Sequence, residues 1–231
     1  MFDNKKILIV AAHPDDELLG CGATIFKLIE NNNDVHVIFL SEGVSARHDL
    51  NTPNSFQSEI LDRENSARQF GNHAGFCICN FFRLPNLRMN TLNLLDIVKL
   101  VSDVIKKLNP DIVFTHFAND LNSDHQISFE ATLTALRPFS NIKNTQLLTF
   151  ETLSSTEWIS SQRNKIFYPN LFIDVTGYID NKLDSIKFYE FEMRKNPHPR
   201  SKEVITALAK IRGSQCGVNF AEAFELVRAI Y

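Results

Sequence analysis

Several absences narrow what this chain can be. Its 231 residues contain no apolar run of about twenty, the length a membrane-crossing helix needs. There is no excess of basic residues: 24 Lys and Arg face 27 Asp and Glu, for a net charge of −3. Nothing therefore points to nucleic acid or to an anionic membrane surface. Cysteine is scarce, and Cys21, Cys77, Cys79 and Cys216 form no Cys-x-x-Cys pair. That fits a reducing, cytoplasmic setting. Cys77 and Cys79 alternate along an expected strand and read as packing residues. Neither a repeat nor a low-complexity tract is visible. The opening residues lead into an apolar run that charge interrupts at His13, so the start reads as a strand and a turn, not a signal peptide.

What is there is concentrated in Ala11-Ala12-His13-Pro14-Asp15-Asp16-Glu17. This stretch follows the apolar run Ile7-Leu8-Ile9-Val10 and precedes a helical pattern. Pro14 suits the first helical position, and three acids in the first turn suit the helix dipole. One imidazole and one carboxylate on one side of such a turn can hold a divalent metal. A second carboxylate then stays free to take a proton from water.

The rest of the chain alternates strands and helices. Strands are expected at about 5–12, 35–40, 76–82, 111–115, 147–151 and 171–175. Helices are expected at about 17–31, 58–70, 91–108, 126–136, 178–193 and 202–211, and the tail from Phe220 to Arg228 reads as one more, amphipathic helix. Gly20 and Gly22 allow the first helix to approach the sheet or a ligand closely. His36 reads as a packed or edge residue. Ser41 to Phe56 is a long polar loop on the same sheet edge as His13, and 152–168 is irregular around Trp158. The expected fold is α/β: a Rossmann-like, doubly wound, mostly parallel sheet with helices on both faces. One domain spans 1–231, with residues 177–231 a C-terminal helical extension.

In a sheet of order 3-2-1-4-5, the first and fourth strands are neighbours, and their carboxyl ends form the switch-point crevice. His13, Asp15 and Asp16 reach it from one side. His116, Asp124 and His125 reach it from the other. Two clusters far apart in sequence thus converge on one crevice.

Ala12 through Glu17 after a first strand, with Asp124-His125 downstream, resembles the LmbE-like and PIG-L zinc-dependent deacetylases. The resemblance is densest near residues 5–20, 110–126 and 196–225. It implies that His13, Asp16 and His125 are the ligands of one Zn2+, with Fe2+ or Co2+ as substitutes. It implies that Asp15 is the general base. At the second motif the family commonly reads His-Pro-Asp-His, and its first histidine stabilises the oxyanion. Here Asn122 stands in that place. His116 is the first substitute for that catalytic role, and His198, in the turn Asn196–Ser201, the second. Asp124 can equally orient a ligand histidine. Arg63, Asn122, Asp124 and Arg200 are the substrate-binding candidates.

The expected reaction is removal of an N-acetyl group from a small-molecule amino sugar. The tail resembles relatives from surface-sugar pathways, which favours a nucleotide-linked or glycan precursor. The alternatives are a small N-acetylglucosaminyl conjugate of the kind used in thiol biosynthesis, a sugar-binding protein without turnover, and a nucleotide-binding Rossmann-like module. The last is opposed by carboxylates where a pyrophosphate would sit. A homo-oligomer is compatible with the sequence.

Overall fold

The structure is a computed structural model and describes residues 2–48, 56–138, 143–159 and 166–230. At its centre is β1 (Lys6–Ala11), five of whose six residues are buried. Ile7, Ile9 and Ala11 point to one hydrophobic cluster, Leu8 and Val10 to another. A strand buried on both faces reads as a continuous apolar run, and a parallel neighbour on each side produces that environment.

Those neighbours are β2 (Asp34–Ser41) and β4 (Ile112–His116). The edge beyond β2 is β3 (Cys77–Leu84), and β5 (Gln146–Phe150) lies beyond β4. The full order, with β6 (Leu171–Asp174) and β7 (Ala221–Arg228), is β3-β2-β1-β4-β5-β7-β6. β7 runs antiparallel to both β5 and β6; the other pairings are parallel. The expected order of the first five strands is therefore the observed one.

Helices α1 (Asp16–Glu30) and α2 (Gln57–Ala74) cover one face. The other carries α3 (Leu94–Leu108) and α4 (Ser123–Ala135). The remaining helices are α5 (Ile179–Ser185) and α6 (Lys202–Cys216). A Cβ at Gly20 would overlap the Phe150 ring, so this glycine lets α1 lie close against β5.

Three expectations are corrected. The tail is β7, an interior strand, and not a helix. Its Ala, Glu and Leu residues favour a helix locally, but pairing on both edges overrides that preference. Residues 177–231 thus supply a sheet strand as well as helices, and the segment is woven into the sheet. The helix expected at 178–193 stops at Ser185 and continues as a 3₁₀ segment, Ile186–Glu192, broken at Tyr189 (φ −115°, ψ 35°). That break accompanies a fully buried Tyr189 whose hydroxyl donates to Glu17. Cys77 and Cys79 are exposed, because β3 is an edge strand. Of the two long irregular segments, 49–55 and 160–165 lie outside the described residues.

Candidate metal and catalytic centre

β1 hands the chain to a turn that opens α1 at Asp16. Asp15 sits in that turn at φ 146° and ψ −23°, a region that a residue with a side chain enters only under constraint. The constraints are visible. The Asp15 carbonyl accepts from Leu19 N–H at 3.0 Å, and Asp16 N–H donates to His13 O at 3.2 Å. Asp15 Oδ2 accepts from Arg200 Nη1 at 2.8 Å and from Arg63 Nη2 at 3.1 Å.

Next to it, Asp16 Oδ2 accepts from His13 N–H at 2.8 Å and lies 3.1 Å from His13 Nδ1. The same oxygen is 3.4 Å from His125 Nε2. α4 begins three residues earlier than its periodicity suggests, so His125 stands in its first turn, above the end of β4. His13, Asp16 and His125 each offer a donor atom within 4.8 Å of the others, and all three are buried.

This donor set fits a cation. Asp16 Oδ1 and both ring nitrogens of His125 are buried without an aligned hydrogen-bond partner. Such atoms are costly unless something pairs with them. The electrostatics agree. Burial works against charge on His125, yet Asp16 and Asp120 push it up to about 10. Burial opposes charge on Asp16 too, but His125, together with the hydrogen-bond contacts from His125 and His13, holds its carboxyl well below the usual range. The pocket is built to hold positive charge, and two imidazoles with a carboxylate suit a divalent metal of the zinc class.

Carboxylates back both histidines. Asp124 Oδ2 lies 3.1 Å from His13 Nε2 and accepts from Leu87 N–H at 2.7 Å, while Asp124 Oδ1 accepts from Met89 N–H at 3.3 Å. Asp124 is thus enclosed behind His13 in an orienting position, and the expectation that it meets substrate is corrected. Asp120 Oδ1 lies 3.2 Å from His125 Nδ1. Its carboxyl also accepts from Ser155 and Thr156 hydroxyls and from Asn122 N–H at 2.9 Å. Burial opposes its charge, but His125 and these donors hold Asp120 down to about 2.

Other expected residues find different work. His116 is fully buried; its Nε2 accepts from Ala12 N–H at 2.9 Å and its Nδ1 faces the Thr152 hydroxyl at 3.3 Å. It stacks on His125 with ring centres 3.8 Å apart. Burial, then His125, hold its pKa well below the usual value, so it is neutral. With Nε2 already accepting, its proton sits on Nδ1 inside the wall, and the expected oxyanion role is corrected. Asn122 is the N-cap of α4, its side-chain oxygen accepting from Asp124 N–H at 2.9 Å. That gives its side-chain oxygen a capping role and leaves its amide N–H donors open. Arg63 and Arg200 both grip Asp15 and both pair with Glu192, each at 3.1 Å. Arg200 Nε also donates to Ser154 Oγ at 2.6 Å. His198 is partly buried, edge-on to Trp158, and its Nδ1 accepts from Arg200 N–H at 3.1 Å. Its ring proton therefore belongs on Nε2.

Sequence reasoning passed over Glu192, which lies in the 3₁₀ segment and joins three arginines. Arg47 reaches it at 2.7 Å. It also passed over the role of Glu17, pushed up to about 8 by burial and bonded to Tyr189. The described part of the loop after β2 borders the site as expected, through the Gly43 carbonyl on Arg63 and through Arg47. No helix among the described residues is long and apolar enough to cross a membrane.

Residues 8–136, more than half of the chain, match the family model described as GlcNAc-PI de-N-acetylase, PIG-L. A protein of Escherichia coli K12 named uncharacterized deacetylase YaiS is 29% identical over 189 residues, covering 79% of this chain and 89% of that one. The diacetylchitobiose deacetylase of Thermococcus kodakarensis is 24% identical over 242 residues, covering 99% and 85%. Among solved structures, the 4-carboxy-2-hydroxymuconate hydratase GalB of Pseudomonas putida KT2440 superposes with a TM-score of 0.75, at 21% identity and 98% coverage of both chains. That likeness shows the fold, and the same fold carries a hydratase.

Proposed function

The chain belongs to the GlcNAc-PI de-N-acetylase (PIG-L) family, and from that premise we propose that it is a zinc-dependent hydrolase that removes the N-acetyl group from an amino sugar. The observation that carries the reading is the buried His13–Asp16–His125 donor set with Asp15 beside it. One divalent cation, held by those three side chains, supplies Lewis acidity toward the amide carbonyl and the attacking water. Fe2+ or Co2+ would suit the same donors.

Asp15 acts as general base. It takes a proton from the attacking water and returns it to the leaving amine as the C–N bond breaks. Arg63 and Arg200 hold its carboxylate in one orientation, and the strained backbone beneath it is fixed by the first turn of α1. Asp124 and Asp120 orient His13 and His125, the usual service of a carboxylate behind a ligand histidine. His198 is our choice for the donor to the developing oxyanion, since its Nε2 carries the ring proton. The products are acetate and the free amino sugar.

For the substrate, we favour a nucleotide-linked or surface-glycan precursor. The de-N-acetylase family and the diacetylchitobiose deacetylase of T. kodakarensis support an N-acetylated sugar in general. The nucleotide-binding alternative is not favoured, because the first turn presents carboxylates to its crevice. We place the enzyme in the cytoplasm, a reading supported by its four free cysteines.

Acetate release from a panel of free, nucleotide-linked and malate- or inositol-linked N-acetyl amino sugars tests the proposal. Wild type should release acetate from at least one, and Asp15→Asn should lose at least a hundredfold in kcat, the scale of a general base. Metal-loaded wild type that releases acetate from none of them would contradict it.

A further inference from the structure

At the edge of the sheet away from the centre, β3 carries a bulge. His36 pairs with Cys77 and Val37 with Ile78, but Ile38 pairs with Asn80, so Cys79 is the extra residue. A bulge re-aims a side chain. Here it sets Cys79 and Asn80 on one side, both lining a groove of about 460 Å³ between β3 and α3. Cys79 Sγ lies 3.5 Å from His36 Nδ1. His36 Nε2 in turn lies 2.8 Å from Asp34 Oδ1, off the hydrogen-bonding direction. A carboxylate there favours the proton on Nε2 and leaves the Nδ1 lone pair toward the sulfur. A nucleophile and a base thus stand within hydrogen-bond reach, with a carboxylate close behind the base, an arrangement that can activate a weak nucleophile.

The groove has its own character. Phe82, Val104 and Leu108 give it an apolar floor, and Lys107 and Asp103 stand in its wall with opposite charges. Cys79 is exposed, and so is Cys77 two residues before it. Partial burial, with Cys77 adding to it and Lys107 opposing, pushes the Cys79 thiol up from its ordinary value. The resting sulfur is therefore protonated and depends on a base.

We infer that Cys79, His36 and Asp34 form a second nucleophilic centre, independent of the metal site, that undergoes thiol–disulfide exchange with low-molecular-weight disulfides carrying a carboxylate and an ammonium group. His36 Nδ1 takes the thiol proton. The Cys79 sulfur attacks one sulfur of R–S–S–R, the Cys79–S–S–R bond forms and the R–S–S–R bond breaks. The departing thiolate leaves as RSH with the proton from the imidazolium. Lys107 and Asp103 meet the two charged ends of the disulfide. The product is a mixed disulfide at Cys79, with one RSH released for each.

The test uses the metal-loaded full chain and oxidised glutathione as probe, with mixed-disulfide formation at each cysteine followed by peptide mass spectrometry. Cys79 should react at least tenfold faster than Cys77, its neighbour on the same exposed strand. His36→Asn should remove that advantage. Asp34→Asn, at a half-exposed side chain, should slow Cys79 at least threefold while leaving the rate at Cys77 unchanged, which separates activation from unfolding. Equal rates at Cys79 and Cys77, or a rate at Cys79 indifferent to both substitutions, would overturn the inference.

Discussion

Asp15 is bound by two opposing demands. As the proposed general base it needs an open oxygen for a proton, and its Oδ1 is buried without a hydrogen-bond partner. That role also needs charge in a buried place: burial pushes its pKa up, and Arg200 and Arg63 offset only part of that rise. His13, Asp15 and Asp16 were legible because they are sequence neighbours at a strand end. Asp120 and Glu192 were not, because their work depends on His125 and on arginines up to 145 residues away. His116 was misread for a different reason. Sequence places it at the end of β4 but cannot show that the N–H of Ala12, just past the end of the neighbouring strand β1, already occupies its Nε2. The carboxylates behind the two candidate ligand histidines carry a further prediction. Asp120→Asn should weaken metal affinity by about 10- to 100-fold with the fold intact, measured by competition with a chelating dye. Unchanged affinity would remove Asp120 from the centre's support.

Elements carry two further predictions. In α1, helix propensity alone says that Gly20→Ala should stabilise by about 0.5–1 kcal/mol. The Phe150 ring says otherwise, since the added methyl would overlap it. Overpacking should win and cost about 1–3 kcal/mol, read from the denaturant midpoint. The 3₁₀ segment Ile186–Glu192 is tied down by Glu192. Burial opposes that charge, but Arg47, Arg63 and Arg200 hold the carboxyl down from 4.5 to about 2. A depressed carboxyl contributes stability that is fully present above 4.5 and is lost as pH falls through about 2. Glu192→Gln should therefore lower the thermal midpoint at neutral pH, and its deficit should shrink as pH falls across that window. A deficit constant with pH would show that Glu192 acts by packing alone. This segment also shows where periodicity misleads. Residues 178–193 have helical spacing throughout, but placing Tyr189 on Glu17 and Glu192 among the arginines accompanies a break in the helix. The apolar runs of β1 and β4 had no such competitor, and the expected strands were found there.

The whole molecule is closed by its C-terminal strand. β7 fills the sheet between β5 and β6, and Glu222 on it accepts from Ala23 N–H at 3.2 Å and Thr24 N–H at 2.7 Å in α1. Glu222 also meets Lys182 of α5 at 2.5 Å, and Lys182 donates to Leu19 O at 2.8 Å. Both side chains are buried. This one pair fastens the tail and α5 to α1, the helix that carries Asp16 at its start. Removing one partner of a buried pair typically costs about 3–5 kcal/mol, so Glu222→Ala should lower global stability by that order in a denaturant titration. The other end of α1 carries the proposed metal site, and a metal titration tests it. Metal-free protein is titrated with Zn2+ while acetate release from an N-acetyl amino sugar is followed. The rate should rise from near zero, saturate at one equivalent per chain, and be absent in His125→Ala. Acetate release that is indifferent to metal removal, or undiminished in His125→Ala, would contradict it.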